Sequence, residues 1–130
     1  MFELLRIENL GHRYGSKQIL NNFNLQLYQG ECLSLLGASG CGKTSVLRAV
    51  AGLMNPTEGR IFLSGSAVYG PEISVDPQKR KVGLVFQDYA LFPNLTVAEN
   101  IVFGLYGQPA DVIDTRCREL LELTQLVGHR

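Results

Sequence analysis

The chain has no net charge: its 12 basic and 12 acidic side chains cancel. A nucleic-acid surface calls for a basic excess, and the composition offers none. No apolar run approaches the ~20 residues of a membrane span. Met1-Phe2-Glu3 lacks the basic start and following apolar stretch of a signal peptide, so the cytosol is the expected compartment. Cysteines are few. Cys32, Cys41 and Cys117 lie far apart with no C-x-x-C pair, which argues against a zinc site and fits reduced thiols. No internal repeat, low-complexity stretch or interdomain linker interrupts the chain. What is present is 130 residues, 45% of them hydrophobic, enough for a core and for one domain or less.

One run then dominates. Gly37-Ala38-Ser39-Gly40-Cys41-Gly42-Lys43-Thr44 is a full G-x-x-x-x-G-K-[ST] phosphate-binding loop. The apolar run Cys32–Leu36 before it reads as a buried strand, and Ser45–Leu53 after it reads as a helix. Strand, loop and helix together form the context the motif requires. Glycines at 37, 40 and 42 let the backbone curl so that successive N–H groups point inward at a triphosphate. The helix start adds its dipole and unpaired N–H groups. Lys43 brings a positive charge to the β- and γ-phosphates, and the Thr44 hydroxyl suits Mg²⁺, with Ser45 able to assist. Cys41 reads as a small filler within the loop.

Along the rest of the chain, Leu5 and Ile7 alternate with Arg6 and Glu8, which predicts a half-buried strand. Residues 11–16 read as a turn. Phe23, Leu25 and Leu27 alternate with Asn22, Asn24 and Gln26, a second strand, and Gln29-Gly30-Glu31 turns the chain. Residues 55–59 form a loop, 60–65 a strand, and 70–80 an exposed loop. Lys81–Gln87 reads as another buried strand. Thr96-Val97-Ala98-Glu99 fits a capping box, predicting a short helix to about Gly104. Gly107-Gln108-Pro109 ends it, and a last helix from about Asp111 places Ile113, Cys117, Leu120 and Leu121 on one face.

With the phosphate loop and the segment Val85-Phe86-Gln87-Asp88-Tyr89-Ala90-Leu91-Phe92-Pro93-Asn94-Leu95-Thr96-Val97-Ala98-Glu99-Asn100-Ile101 together, the chain resembles the ATP-binding subunit of bacterial ABC importers. The nearest group is the ferric-iron, polyamine, sulfate and maltose type. The resemblance implies an α/β fold: the N-terminal part of a P-loop nucleotide-binding domain, with an antiparallel β subdomain, a strand-helix core and the start of a helical subdomain. It implies ATP and Mg²⁺ as ligands, held by Tyr14, Gly37, Ser39, Gly40, Cys41, Gly42, Lys43, Thr44, Ser45 and Gln87. Tyr14 matches the aromatic that stacks on adenine. Gln87 matches the glutamine that contacts Mg²⁺ and the attacking water. Thr44 and Gln87 are the implied Mg²⁺ ligands, and Lys43 and Gln87 carry the implied catalytic roles. Tyr89, Leu91 and Phe92 match the region facing a transmembrane permease, although an apolar stretch there fits core as well. Implied partners are permease subunits, a second ATP-binding subunit and, indirectly, a periplasmic solute-binding protein. The implied location is peripheral, on the cytoplasmic face of the inner membrane.

In that family the LSGGQ signature, the Walker B aspartate, the catalytic glutamate and a switch histidine come later, and none occurs in these 130 residues. His12 and His129 do not match the switch position and are expected at the surface. An N-terminal fragment is therefore expected, one that binds nucleotide with negligible hydrolysis alone. Cargo is not encoded in any site here. Ferric iron stands against polyamine, sulfate and sugar together, and a nucleotide-binding module without turnover is the competing reading.

Overall fold

A computed structural model describes residues 2–38 and 40–126. Ser39, expected in the phosphate loop, and His129, expected at the surface, lie outside the described residues. The chain divides into two compact units, Met1–Leu84 and Val85–Arg130.

The first unit is built on a five-stranded antiparallel sheet in the order β2-β1-β3-β4-β5. Strands β1 (Glu3–Tyr14) and β2 (Lys17–Tyr28) make a long hairpin. Tyr14 pairs with Lys17 across the two-residue loop Gly15-Ser16. The expected turn over 11–16 is thus confined to two residues, because the ladder continues through His12, Arg13 and Tyr14. Strand β3 (Glu58–Leu63) pairs with β1 on its other edge, aligning Ile7 with Ile61. Strands β4 (Ser66–Gly70) and β5 (Ile73–Ser74) follow. The expected loop over 70–80 therefore holds the end of β4, all of β5 and a 3-10 turn at Pro77–Lys79.

Helix α1 (Lys43–Ala51) lies against one face of this sheet. Val46 and Ala49 pack with Ile7, Leu10, Leu20, Ile61 and Val68 in one core. Leu10 and Ile61 are fully buried, each burial worth about 1.5–3 kcal/mol. The helix ends at Gly52, whose N–H donates back to Ala49 O in a left-handed cap.

Two expected strands do not form. Residues 32–36 and 82–86 have no ladder partner among the described residues. Leu36 is 92% exposed and Val85 is 82% exposed, while Leu35 still reaches the core. An apolar run supplies the side chains of a strand, but a strand also needs a neighbour for its N–H and C=O groups.

The second unit begins its regular structure at Thr96. The capping box is complete: Glu99 N–H donates to Thr96 Oγ1, and Thr96 N–H donates to the Glu99 carboxylate. Helix α2 (Val97–Val102) runs into a 3-10 turn at Phe103–Leu105. Helix α3 (Ala110–Leu123) packs on α2 and buries Cys117 and Leu121. No described helix is long and apolar enough to cross a membrane.

Candidate nucleotide-binding site

The phosphate loop ends where α1 begins. Gly42 occupies the N-cap with φ 98°, a left-handed conformation that favours glycine. A Cβ there would meet Leu20 Cδ2 at 2.8 Å and Ile19 O at 3.1 Å, so the loop rests directly on β2. At Gly37 a Cβ would lie 2.6 Å from Cys41 Sγ. The first intrahelical bond runs from Val46 N–H to Gly42 O, which leaves the N–H groups of the preceding turn without helical acceptors.

Lys43 turns back over this loop. Its Nζ donates to Gly37 O and, at 3.4 Å, to Ala38 O. The ammonium therefore sits inside the curl of the loop, where a phosphate would meet it. Thr44 is exposed on the first turn and Ser45 is buried. An exposed hydroxyl oxygen at that place fits Mg²⁺, a hard cation that shares its coordination with phosphate oxygens. No cluster of metal-ligating His, Cys, Asp or Glu occurs among the described residues.

Tyr14 stands at the turn end of the β1–β2 hairpin, 53% exposed. Its hydroxyl donates to Met54 Sδ at 3.5 Å, and its ring meets His12 edge-to-face with centroids 4.6 Å apart. His12 is not at the surface. It is 8% exposed, and neither ring nitrogen has a hydrogen-bond partner among the described residues. The expectation failed because His12 lies on β1, two residues after the buried Leu10 and opposite the buried Leu20. Leu20 thus touches the phosphate loop on one side and pairs with His12 on the other.

Arg80 was also missed. It is 5% exposed, and Nη1 donates to Ala49 O at 2.8 Å and Val50 O at 3.3 Å, while Nε donates to Val75 O at 2.8 Å. Burial pulls its pKa below the ordinary guanidinium value. A cation is thereby placed on the C-terminal carbonyls of the phosphate-loop helix, where the dipole favours it.

Gln87, Tyr89, Leu91 and Phe92 belong to the second unit, and all four are exposed. Tyr89 and Ala90 both take positive φ, 64° and 49°, and Asp88 Oδ1 accepts from Ala90 N–H. Phe92 packs against Phe103, the rings tilted by 37° with centroids 4.4 Å apart. Asn100 binds Phe92 through both its N–H and its carbonyl, and also donates to Leu95 O and Thr96 O. The apolar stretch at 89–93 is therefore an ordered, exposed turn and not core.

The chain matches the ABC transporter family over residues 20–130. It is 44% identical to a Fe(3+) ions import ATP-binding protein of Pectobacterium atrosepticum, over 95% of this chain and 35% of that one. It is 49% identical to a spermidine/putrescine import ATP-binding protein of Methylococcus capsulatus, over 90% of this chain and 31% of that one. The chain thus spans about a third of the length of these curated relatives. Among solved structures it resembles cbiO1 of Clostridium perfringens, part of the ABC transporter complex cbiONQ (TM-score 0.77, 26% identity, 99% of this chain and 53% of that one). The dimeric ATP-binding cassette MJ0796 bound to ADP and Pi is similar too (TM-score 0.76, 28% identity, 94% of this chain and 57% of that one).

Proposed function

This chain belongs to the ABC transporter family, and from that premise we propose that it is the ATP-binding subunit of a bacterial solute importer. One observation carries the proposal. Lys43 lies within the curl of a glycine loop that is seated on β2, and the hairpin of β2 presents Tyr14. A single rigid ladder thus offers a cation and backbone amides for phosphates and a flat ring for a base. Thr44 is the residue that would hold Mg²⁺, which when bound draws charge from the β- and γ-phosphate oxygens.

In this reading Tyr14 stacks on adenine. The loop residues Gly37, Ser39, Gly40, Cys41, Gly42, Lys43, Thr44 and Ser45 are those that would bind the phosphates, and Gln87 is the further residue that would hold Mg²⁺ and the attacking water. Tyr89, Leu91 and Phe92 meet a permease subunit. The exposure of that turn supports a contact role. A second ATP-binding subunit joins as a dimer, and the assembly sits on the cytoplasmic face of the membrane. Import of ferric iron is the favoured cargo reading; polyamine and sulfate importers among the relatives stand beside it. Cargo is tested by reading the neighbouring genes for a periplasmic iron-binding protein.

The test of the core proposal is titration of the full chain with labelled Mg-ATP. Lys43→Ala should weaken binding by about tenfold or more, since roughly 1.4 kcal/mol corresponds to each tenfold. Unchanged affinity would remove the assignment.

A further inference from the structure

We propose that His12 is a positioning residue, which fixes the Tyr14 ring as a platform for the nucleotide base. The inference rests on the reading of Tyr14 as that platform. An exposed ring at the tip of a hairpin has free rotamers, and stacking requires one of them to be held. Two contacts hold Tyr14: the His12 ring, perpendicular at 90° with centroids 4.6 Å apart, and Met54 Sδ at the hydroxyl. Both leave the ring half exposed.

The backbone supports the same role. Irregularities in the β1–β2 register fall on both sides of His12, between Leu10 and His12 and between His12 and Arg13. Bulges of this kind re-aim a side chain, and they gather beside functional sites. Here they coincide with a polar ring that is buried and makes no hydrogen bond among the described residues. Hydrogen bonding therefore does not account for an imidazole at this place. Its ring contact with Tyr14 does. On the other side, the ladder partner of His12 is Leu20, against which Gly42 of the phosphate loop is packed. His12 accordingly stands on the strand pair linking the ring to the loop.

The experiment compares affinity for Mg-ATP with affinity for inorganic tripolyphosphate, which has no base. It uses the full chain as wild type, Tyr14→Ala, His12→Ala, His12→Phe and the double alanine variant. Tyr14→Ala should weaken ATP by about tenfold and leave tripolyphosphate unchanged. His12→Ala should weaken ATP by about threefold to tenfold, again sparing tripolyphosphate. His12→Phe keeps an aromatic edge and should restore ATP binding. The double variant should bind no more weakly than Tyr14→Ala alone. If Tyr14→Ala has no effect, the platform reading fails and this inference with it. If Tyr14→Ala weakens ATP but His12→Ala does not, the inference alone fails. Equal loss of ATP and tripolyphosphate in His12→Ala would also overturn it, by showing a disturbance of the phosphate loop instead.

Discussion

Arg80 Nη1 donates to Ala49 O across a gap of 2.8 Å, tying the segment after β5 to the end of the phosphate-loop helix. Val50 O and Val75 O accept from the same guanidinium. The buried guanidinium adds a second donor to Ala49 O, which already takes the Gly52 N–H, and places a cation at the negative end of the helix dipole. Arg80→Ala should destabilise the first unit by about 1.5–3 kcal/mol, the range for hydrogen bonds to a charged group. Arg80→Lys should recover only part of this, since an ammonium cannot span the fork. Urea unfolding of the full chain measures both, and a loss below about 0.5 kcal/mol for the alanine variant would refute the account.

Gly42→Ala tests the seat of the phosphate loop. The new methyl group would be forced against Leu20 and the Ile19 carbonyl at a backbone φ of 98°. Strain of that kind costs about 1–3 kcal/mol. The loop should shift off β2, and Mg-ATP affinity should fall by about tenfold or more. Calorimetric titration reads the affinity directly, and wild-type binding would show that contact with β2 does not shape the loop.

How much of this was legible in the sequence depends on range. The alternation in Phe23, Leu25 and Leu27 and the Thr96–Glu99 capping box are local signals, and β2 and the start of α2 follow them. The helix expected over Ser45–Leu53 forms as α1, two residues earlier at each end. Residues 32–36 and 82–86 show the limit. Their apolar character is local, but strand formation depends on a partner, and none is hydrogen-bonded to them among the described residues. Arg80 and His12 escaped for a related reason. A polar residue near glycines and prolines reads as exposed, and only the fold reveals that the end of α1 brings carbonyls to Arg80 or that a bulged ladder carries His12 inward. In the site itself, the motif located the loop residues, whereas Leu20 and Met54 became visible only through contact.

His12→Phe carries a stability prediction distinct from its effect on binding. An unpartnered buried polar group costs about 1–3 kcal/mol, and phenylalanine removes it at similar ring size. The variant should be more stable than wild type by about 1 kcal/mol, observed as a raised midpoint in urea unfolding. A lower midpoint would mean that the imidazole nitrogens are satisfied in solution.

Asn100 closes the exposed turn before α2. Its Oδ1 accepts from Phe92 N–H at 2.9 Å, and its Nδ2 donates to Phe92 O, Leu95 O and Thr96 O. Asn100→Ala removes all four bonds at once. Amide hydrogen exchange at Phe92 should accelerate by about tenfold or more, while amides in the β1–β2 hairpin keep their wild-type rates. Exchange at Phe92 that is equally slow in both proteins would show that the turn is held by something other than this side chain.

The three cysteines provide an internal comparison for the nucleotide site. Cys41 and Cys32 are exposed, and Cys117 is buried between α2 and α3. A maleimide should therefore label Cys41 and Cys32 readily and Cys117 slowly. Cys41 Sγ lies 2.6 Å from the position a Gly37 Cβ would take, within the phosphate loop, so bound nucleotide should cover it. Saturating Mg-ATP should slow labelling of Cys41 by about tenfold, with Cys32 as the unprotected control. Peptide mapping by mass spectrometry separates the sites. Equal protection of both thiols would indicate a general tightening of the chain. No protection of either would place the triphosphate elsewhere, because a ligand seated among Gly37, Gly40 and Gly42 cannot leave that sulfur open to a reagent of maleimide size.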